Sequence, residues 1–239
     1  GDASADDKKW AKGELSRLKL VDKDYLLYGS LATVGDKPAL APRATWPTWY
    51  SSTNTGTIFA RTRWDEKAVW FVTECQHALD VDHRHPKAGN FILSRGKDDV
   101  IVDPSPYGSQ STFTSNAPTV ASAHLPANYI PSQADWSEKT GWDWAIQTKS
   151  GVIAVRCDYS DQYKFQHRAS DVPDAMRDLV LLPNADGTDA ALVIVDRANT
   201  NGANRGMYLR FRVPGGISLS GDTGTSTVGA QLAQGTGAL

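Results

Sequence analysis

Short runs in which apolar and polar residues alternate, each closed by a turn signal, restrict the fold of this chain more than any other feature. From residue 57, Ile58, Ala60, Thr62 and Trp64 alternate with Phe59, Arg61 and Arg63. Successive side chains of an extended strand point to opposite faces, so a period of two lays one face on a core and leaves the other to water. Residues 69–74 follow the turn-like Asp65-Glu66-Lys67. Residues 90–95 and 100–103 flank Gly96-Lys97-Asp98-Asp99, which is a hairpin signature. Further strands are predicted at 119–124, 151–158, 179–182, 191–196 and 207–213. The last has the cleanest alternation: Met207, Leu209, Phe211 and Val213 share one face, and Tyr208, Arg210 and Arg212 the other.

Many short strands separated by turns predict a mainly β chain, an antiparallel β-sandwich with a short N-terminal helix. The helix is placed at residues 6–20, where Trp10, Leu15 and Leu18 share a face and Asp6 or Asp7 caps the start; Gly13 weakens it. Residues 21–56 read as irregular, with Pro38, Pro42 and Pro47. The expected organisation is therefore an N-terminal helix and linker over 1–56 and a β-sandwich domain over 57–239. The Gly-, Ser- and Thr-rich tail after Gly215 shows no clear final strand.

The 239 residues suffice for a sizeable core, and 40% hydrophobic with 22% charged residues describes a globular chain rather than a disordered one. A net charge of −2 lacks the basic excess of a dedicated nucleic-acid binder, yet permits a local basic groove for an acidic sugar polymer. No apolar run is long enough for a membrane-spanning helix, and the first residues lack a signal-peptide pattern. A signal peptide is expected to be absent, removed or upstream. Cys75 and Cys157 read as two buried thiols, with one disulfide in an oxidising compartment as the alternative. No Cys-x-x-Cys pair is present, which disfavours a thiolate zinc site.

Of the five histidines, His77, His83 and His85 lie within nine residues, with His124 and His167 apart. His83 and His85 are two apart, so on an extended segment both imidazoles address one side. Imidazole is both the commonest protein metal ligand and the commonest general base near neutral pH. Asp103 ends the second strand of the hairpin that begins just after His85, and a hairpin brings its outer ends together. His83, His85 and Asp103 are therefore expected around one polar site, and two imidazoles with a carboxylate suit zinc.

Three segments carry a family resemblance: Trp64-Asp-Glu-Lys-Ala-Val-Trp70, Asp82-His-Arg-His-Pro-Lys-Ala-Gly-Asn-Phe-Ile-Leu93 and Val100-Ile-Val-Asp-Pro-Ser-Pro-Tyr-Gly108. Arg177-Asp-Leu-Val-Leu-Leu-Pro183 and Leu192-Val-Ile-Val-Asp-Arg197 follow. In order and spacing these resemble the C-terminal β domain of the heparinase II/III-like polysaccharide lyases, over about residues 57–213. The resemblance implies a catalytic-cleft role for His83, with Tyr107 as a possible partner, and zinc ligation by His85 and Asp103. The third ligand of the family precedes an Asn; here Ser115 precedes Asn116, leaving His124 as the substitute. Lys87 stands where the family carries an acid. The remaining catalytic groups of the family come from an N-terminal helical toroid that these residues do not contain.

The implied reaction is β-elimination at a uronic acid, on an acidic polysaccharide, in a secreted or periplasmic setting. It needs a base for the C5 proton, an acid for the O4 leaving group and a neutraliser for the adjacent carboxylate. Arg61, Arg63, Arg210 and Arg212 are the candidates to meet sugar carboxylates or sulfates, although an ordinary solvated sheet face is the commoner role for such residues. This chain alone is expected to show little or no turnover. Two other readings stand beside the lyase: a non-catalytic polysaccharide-binding or scaffold domain, and a cupin-like metal enzyme built on His83-x-His85 and Gly96. The cupin reading lacks the Glu that should follow the histidine pair.

Overall fold

A computed structural model describes residues 4–18, 39–40, 42–52, 55–75, 85–104, 112–121, 133, 144–149, 151–163, 171–201, 206–228 and 231–236. The chain divides into two compact units, Gly1–Trp46 and Pro47–Leu239.

In the first unit, helix α1 spans Ala5–Leu18. Its cap is not Asp6 or Asp7 but Ser4. The Asp7 N–H donates to Ser4 Oγ at 3.1 Å, and the Ser4 N–H donates back to Asp7 Oδ2 at 3.2 Å, a reciprocal capping box. Gly13 is not a weak spot in this helix. A Cβ there would fall on the Ala39 carbonyl, so the residue is small because another stretch of backbone passes over it. The Ala39 N–H donates to the Lys9 carbonyl at 3.2 Å in the same place. Arg43 pairs with Glu14, and the Trp10 and Trp46 rings meet edge-on at 6.0 Å.

The second unit carries the sheets. Strands β1 (Trp49–Ser52), β2 (Thr57–Arg61), β3 (Val69–Glu74), β4 (Asn90–Arg95) and β5 (Asp98–Ile101) form an antiparallel meander in that order. Strand β6 (Thr119–Val120) pairs with a later short strand. Strands β7 (Trp144–Lys149), β8 (Val152–Asp158), β9 (Asp174–Pro183) and β10 (Ala190–Asn199) form a second antiparallel meander. Strand β11 (Met207–Tyr208) pairs with β6, and β12 (Ile217–Ser220), β13 (Thr223–Val228) and β14 (Gln231–Thr236) form a small third sheet. The hairpin β4–β5 is present, but its turn is Gly96-Lys97 alone rather than the expected Gly96–Asp99, and β5 runs over Asp98–Ile101 rather than 100–103; Gly96 has φ 61°.

The two large sheets enclose one core. Ile58, Ala60, Val69, Phe71 and Phe91 from one sheet meet Ile153, Val155, Cys157, Leu179 and Leu181 from the other. This is the expected sandwich: inward rows of period two from both sheets, removed from water together. Cys75, just beyond β3, and Cys157 in β8 form a disulfide with Cα atoms 4.9 Å apart, so the two-thiol reading is corrected. The bond staples the two sheets face to face.

Several expectations about strands are revised. The strand predicted at 119–124 covers only Thr119–Val120 among the described residues, and those at 179–182 and 191–196 are longer, Asp174–Pro183 and Ala190–Asn199. Residues 207–213 are strand only over Met207–Tyr208, and Leu209 and Phe211 are exposed rather than buried. Their alternation is real, but the backbone here is held by single bonds: the Arg212 N–H donates to the Asn116 side chain at 2.6 Å, and its carbonyl accepts from Val102 N–H at 2.9 Å. The tail after Gly215, read as lacking a clear strand, holds β12–β14. Residues 49–52, read as irregular, form the edge strand β1.

Candidate functional site

The polar residues of the sandwich gather where β3 ends, β4 begins and β5 runs out. The hairpin β4–β5 returns Asp103 to the start of β4, as expected. Asp103 Oδ2 accepts from Lys87 Nζ at 2.6 Å and from Asn90 Nδ2 at 2.9 Å. Lys87 also pairs with Glu74 Oε2 at 3.2 Å, and Glu74 is the cross-strand neighbour of Asn90. The Lys87 and Asp103 side chains are only 17% and 12% exposed, so water screens this group weakly. Burial pushes the Lys87 pKa down, but the charges of Glu74 and Asp103 outweigh it and hold the ammonium above the ordinary lysine value.

Asn116 continues the network inward. Its Nδ2 donates to the Phe91 carbonyl at 2.9 Å and to the Val102 carbonyl at 2.7 Å, bridging β4 and the end of β5 where their own ladder has stopped. Its N–H donates to Asn90 Oδ1 at 2.9 Å, and its carbonyl accepts from Arg177 Nη1 at 2.7 Å. Arg177 is fully buried in β9, directly across from Asp196 in β10. The two form a bidentate pair at 2.7 and 2.9 Å, and Arg177 Nη1 also donates to the Gly89 carbonyl at 2.8 Å. Gln133 completes the region: its side chain accepts from the Ala88 N–H and donates to the Ala88 carbonyl, both at 2.7 Å. Tyr159 and Tyr163 lie buried alongside, and burial raises both phenol pKa values well above the ordinary range.

The four arginines do not converge. Arg61 is buried, stacked between the Trp64 and Trp70 rings at 4.3 and 4.0 Å, with its guanidinium on the Arg63 and Asp65 carbonyls. Arg63 pairs with Asp65 and donates to the Asp186 carbonyl at 2.7 Å. Arg210 and Arg212 lie together elsewhere on the unit. The Arg210 guanidinium sits 4.0 Å over the exposed Phe113 ring and 5.6 Å from Tyr208, and donates to Thr119 Oγ1 at 2.9 Å. Arg212 lies 5.7 Å from the same Phe113 ring and donates to its carbonyl, and its Nε is buried without a hydrogen-bond partner. Burial and the adjacent Arg212 charge both lower the Arg210 pKa. No carboxylate partner of either arginine occurs among the described residues.

The chain shares its fold with heparinase III. A heparinase III structure superposes with a TM-score of 0.57 at 16% identity, covering 94% of this chain and 32% of that one. The heparan sulfate lyase HepC of Pedobacter heparinus gives a TM-score of 0.57 at 13% identity, covering 92% of this chain and 32% of that one. This chain thus spans about a third of the length of these solved lyases. No protein-family model matches the sequence, and no curated protein matches it.

Of the residues singled out in the sequence, His83, Tyr107 and His124 lie outside the described ones. His85 is described; its Nδ1 is buried without a hydrogen-bond partner. Zinc, implied by the resemblance, fits the described residues poorly. Asp103 Oδ2 is already engaged by the Lys87 ammonium and by Asn90. Ser115, in the position of the third ligand, is buried and turned onto its own loop, donating to the Thr112 carbonyl at 3.0 Å and accepting from Ala117 N–H at 3.1 Å. Among the described residues no group of three or more His, Cys, Asp or Glu side chains converges on a point that would hold a metal. The residues that sequence reasoning missed are Asn90, Gln133 and Arg177, whose importance rests on partners distant in sequence.

Proposed function

We propose that this chain is the β-sandwich domain of a polysaccharide lyase, which cleaves a uronic-acid-containing polysaccharide by β-elimination together with a helical toroid domain. The observation that carries the reading is the sandwich shared with heparinase III and with HepC over more than nine-tenths of this chain, at 94% and 92% coverage. In the reaction, His83 takes the C5 proton, the C5–H electron pair forms the C4=C5 double bond as the C4–O4 bond breaks, and Tyr107 gives a proton to the departing O4. The helical domain supplies the carboxylate neutraliser and closes the cleft. No step runs through a metal. The Cys75–Cys157 disulfide supports an oxidising compartment, secreted or periplasmic. No helix among the described residues is long and apolar enough to cross a membrane.

Within this chain the polymer is held by Arg210 and Arg212, two guanidiniums without a carboxylate partner among the described residues, beside the exposed rings of Phe113 and Tyr208. Arg61 and Arg63 are committed to main-chain carbonyls and to Asp65. Guanidiniums pair with carboxylate or sulfate in a bidentate fork, and aromatic faces accept the apolar side of a sugar ring. Heparan sulfate is expected to bind the chain weakly, and more weakly as salt rises. The double substitution R210A/R212A is expected to weaken binding about tenfold or more, the equivalent of one lost charge-assisted contact. Titration on immobilised heparan sulfate, with neutral dextran as control, reads this out. Equal binding of dextran, or an unchanged affinity in the double variant, would overturn the assignment.

A further inference from the structure

The corner formed by Glu74, Lys87, Asn90 and Asp103 brings one cation together with two anions. One ammonium lies between two carboxylates, at 3.2 Å from Glu74 and 2.6 Å from Asp103, and Asn90 adds a second donor to the same Asp103 oxygen at 2.9 Å. Through Asn90 and Asn116 this corner connects to the buried Arg177–Asp196 pair that ties β4 to β9 and β10. The ammonium offsets two like charges: without it, the carboxylate at the end of β3 and the one beyond β5, on either side of β4, would repel each other across the corner.

We infer that the Lys87 ammonium does the work that a bound zinc ion would otherwise do, holding the residues just before β4 to the ends of β3 and β5. Two observations carry this. Lys87 Nζ donates to Asp103 Oδ2 at 2.6 Å, so a zinc ion on the same carboxylate would stand beside a fixed positive charge that repels it. Ser115 is hydrogen-bonded inside its own turn and offers nothing to a metal. A structural zinc needs four ligands and is lost to chelators, and its binding free energy is then lost from the fold. An ammonium carried on the chain cannot dissociate, so the corner keeps its cation at any free-metal concentration. The buried His85 Nδ1 is a single donor atom and does not by itself make a site.

The test is carried out on the chain purified without chelator, with zinc measured per chain and the thermal midpoint recorded alone, with EDTA and with added zinc. The expected results are substoichiometric zinc, the same midpoint in all three conditions, and a midpoint several degrees lower in Lys87→Met. If Lys87→Met does not fold, Lys87→Arg, which keeps the charge, is expected to fold with a metal-independent midpoint. Stoichiometric zinc with a midpoint that falls on adding EDTA would show that His83, His85 or His124 completes a metal site with Asp103, and would overturn the inference. So would a Lys87→Met midpoint equal to that of the unaltered protein.

Discussion

Arg177→Met is expected to lower stability by about 3–5 kcal/mol, the cost of leaving one member of a buried ion pair without the other. The guanidinium is fully buried and its partner Asp196 has a side chain only 4% exposed, so removing the charge strands a carboxylate that water cannot reach. The same substitution takes the donor from the Gly89 and Asn116 carbonyls. Because a domain's whole stability is of the order of 5–15 kcal/mol, this loss is a large fraction of it. The thermal midpoint should fall by roughly 10 °C or more. Pairing the change with Asp196→Leu is expected to recover part of the loss, since it removes the uncompensated carboxylate. A single variant that melts with the unaltered protein would show that this network does not hold the two sheets together.

The second large effect comes from the disulfide. Cys75 and Cys157 are separated by 82 residues, and closing a loop of that length restricts the unfolded chain by about 4.5 kcal/mol in the chain-entropy account. Both residues are buried between the sheets, and Cys157 lies directly across from Arg177. Replacing both cysteines by alanine should cost roughly 2–5 kcal/mol. A reductant should lower the midpoint of the unaltered protein towards that of the variant and leave the variant where it is. Two titratable thiols in the protein purified from an oxidising compartment would contradict the bond.

Much of the sandwich was legible because period two reports burial directly. Residues 69–74 and 90–95 were placed without error, since Val69 and Phe71 or Phe91 alternate with residues that face outward. Strand β9 shows where that signal stops. Its inward row reads Ala175, Arg177, Leu179, Leu181, and the arginine interrupts the apolar series, so the sequence points only to residues 179–182. The arginine belongs in that row because Asp196 faces it from β10, a partner that no local pattern reveals. In the tail, β12–β14 carry Ser, Thr and Gly in place of large apolar residues, so hairpin pairing is present without the pattern that announces it.

The site divides in the same way. The return of Asp103 to the start of β4 followed from the hairpin alone. That Asp103 would meet Lys87 and Asn90 did not, because a hydrogen-bond partner is chosen by geometry across loops and not by spacing. Likewise, Arg61 shared its alternation with exposed residues but is buried between two tryptophans, since Trp64 lies just past the strand and Trp70 directly opposite on β3.

The lyase reading is tested most directly by the release of unsaturated uronate, followed by its ultraviolet absorbance, from heparan sulfate and from other uronate polymers. The assay compares this chain with the whole encoded polypeptide, each with and without His83→Ala. Little or no release is expected from this chain, release from at least one polymer by the whole polypeptide, and loss of that release in the His83→Ala form with its thermal midpoint unchanged. Failure of the folded whole polypeptide to act on any uronate polymer would contradict it, as would turnover that survives His83→Ala.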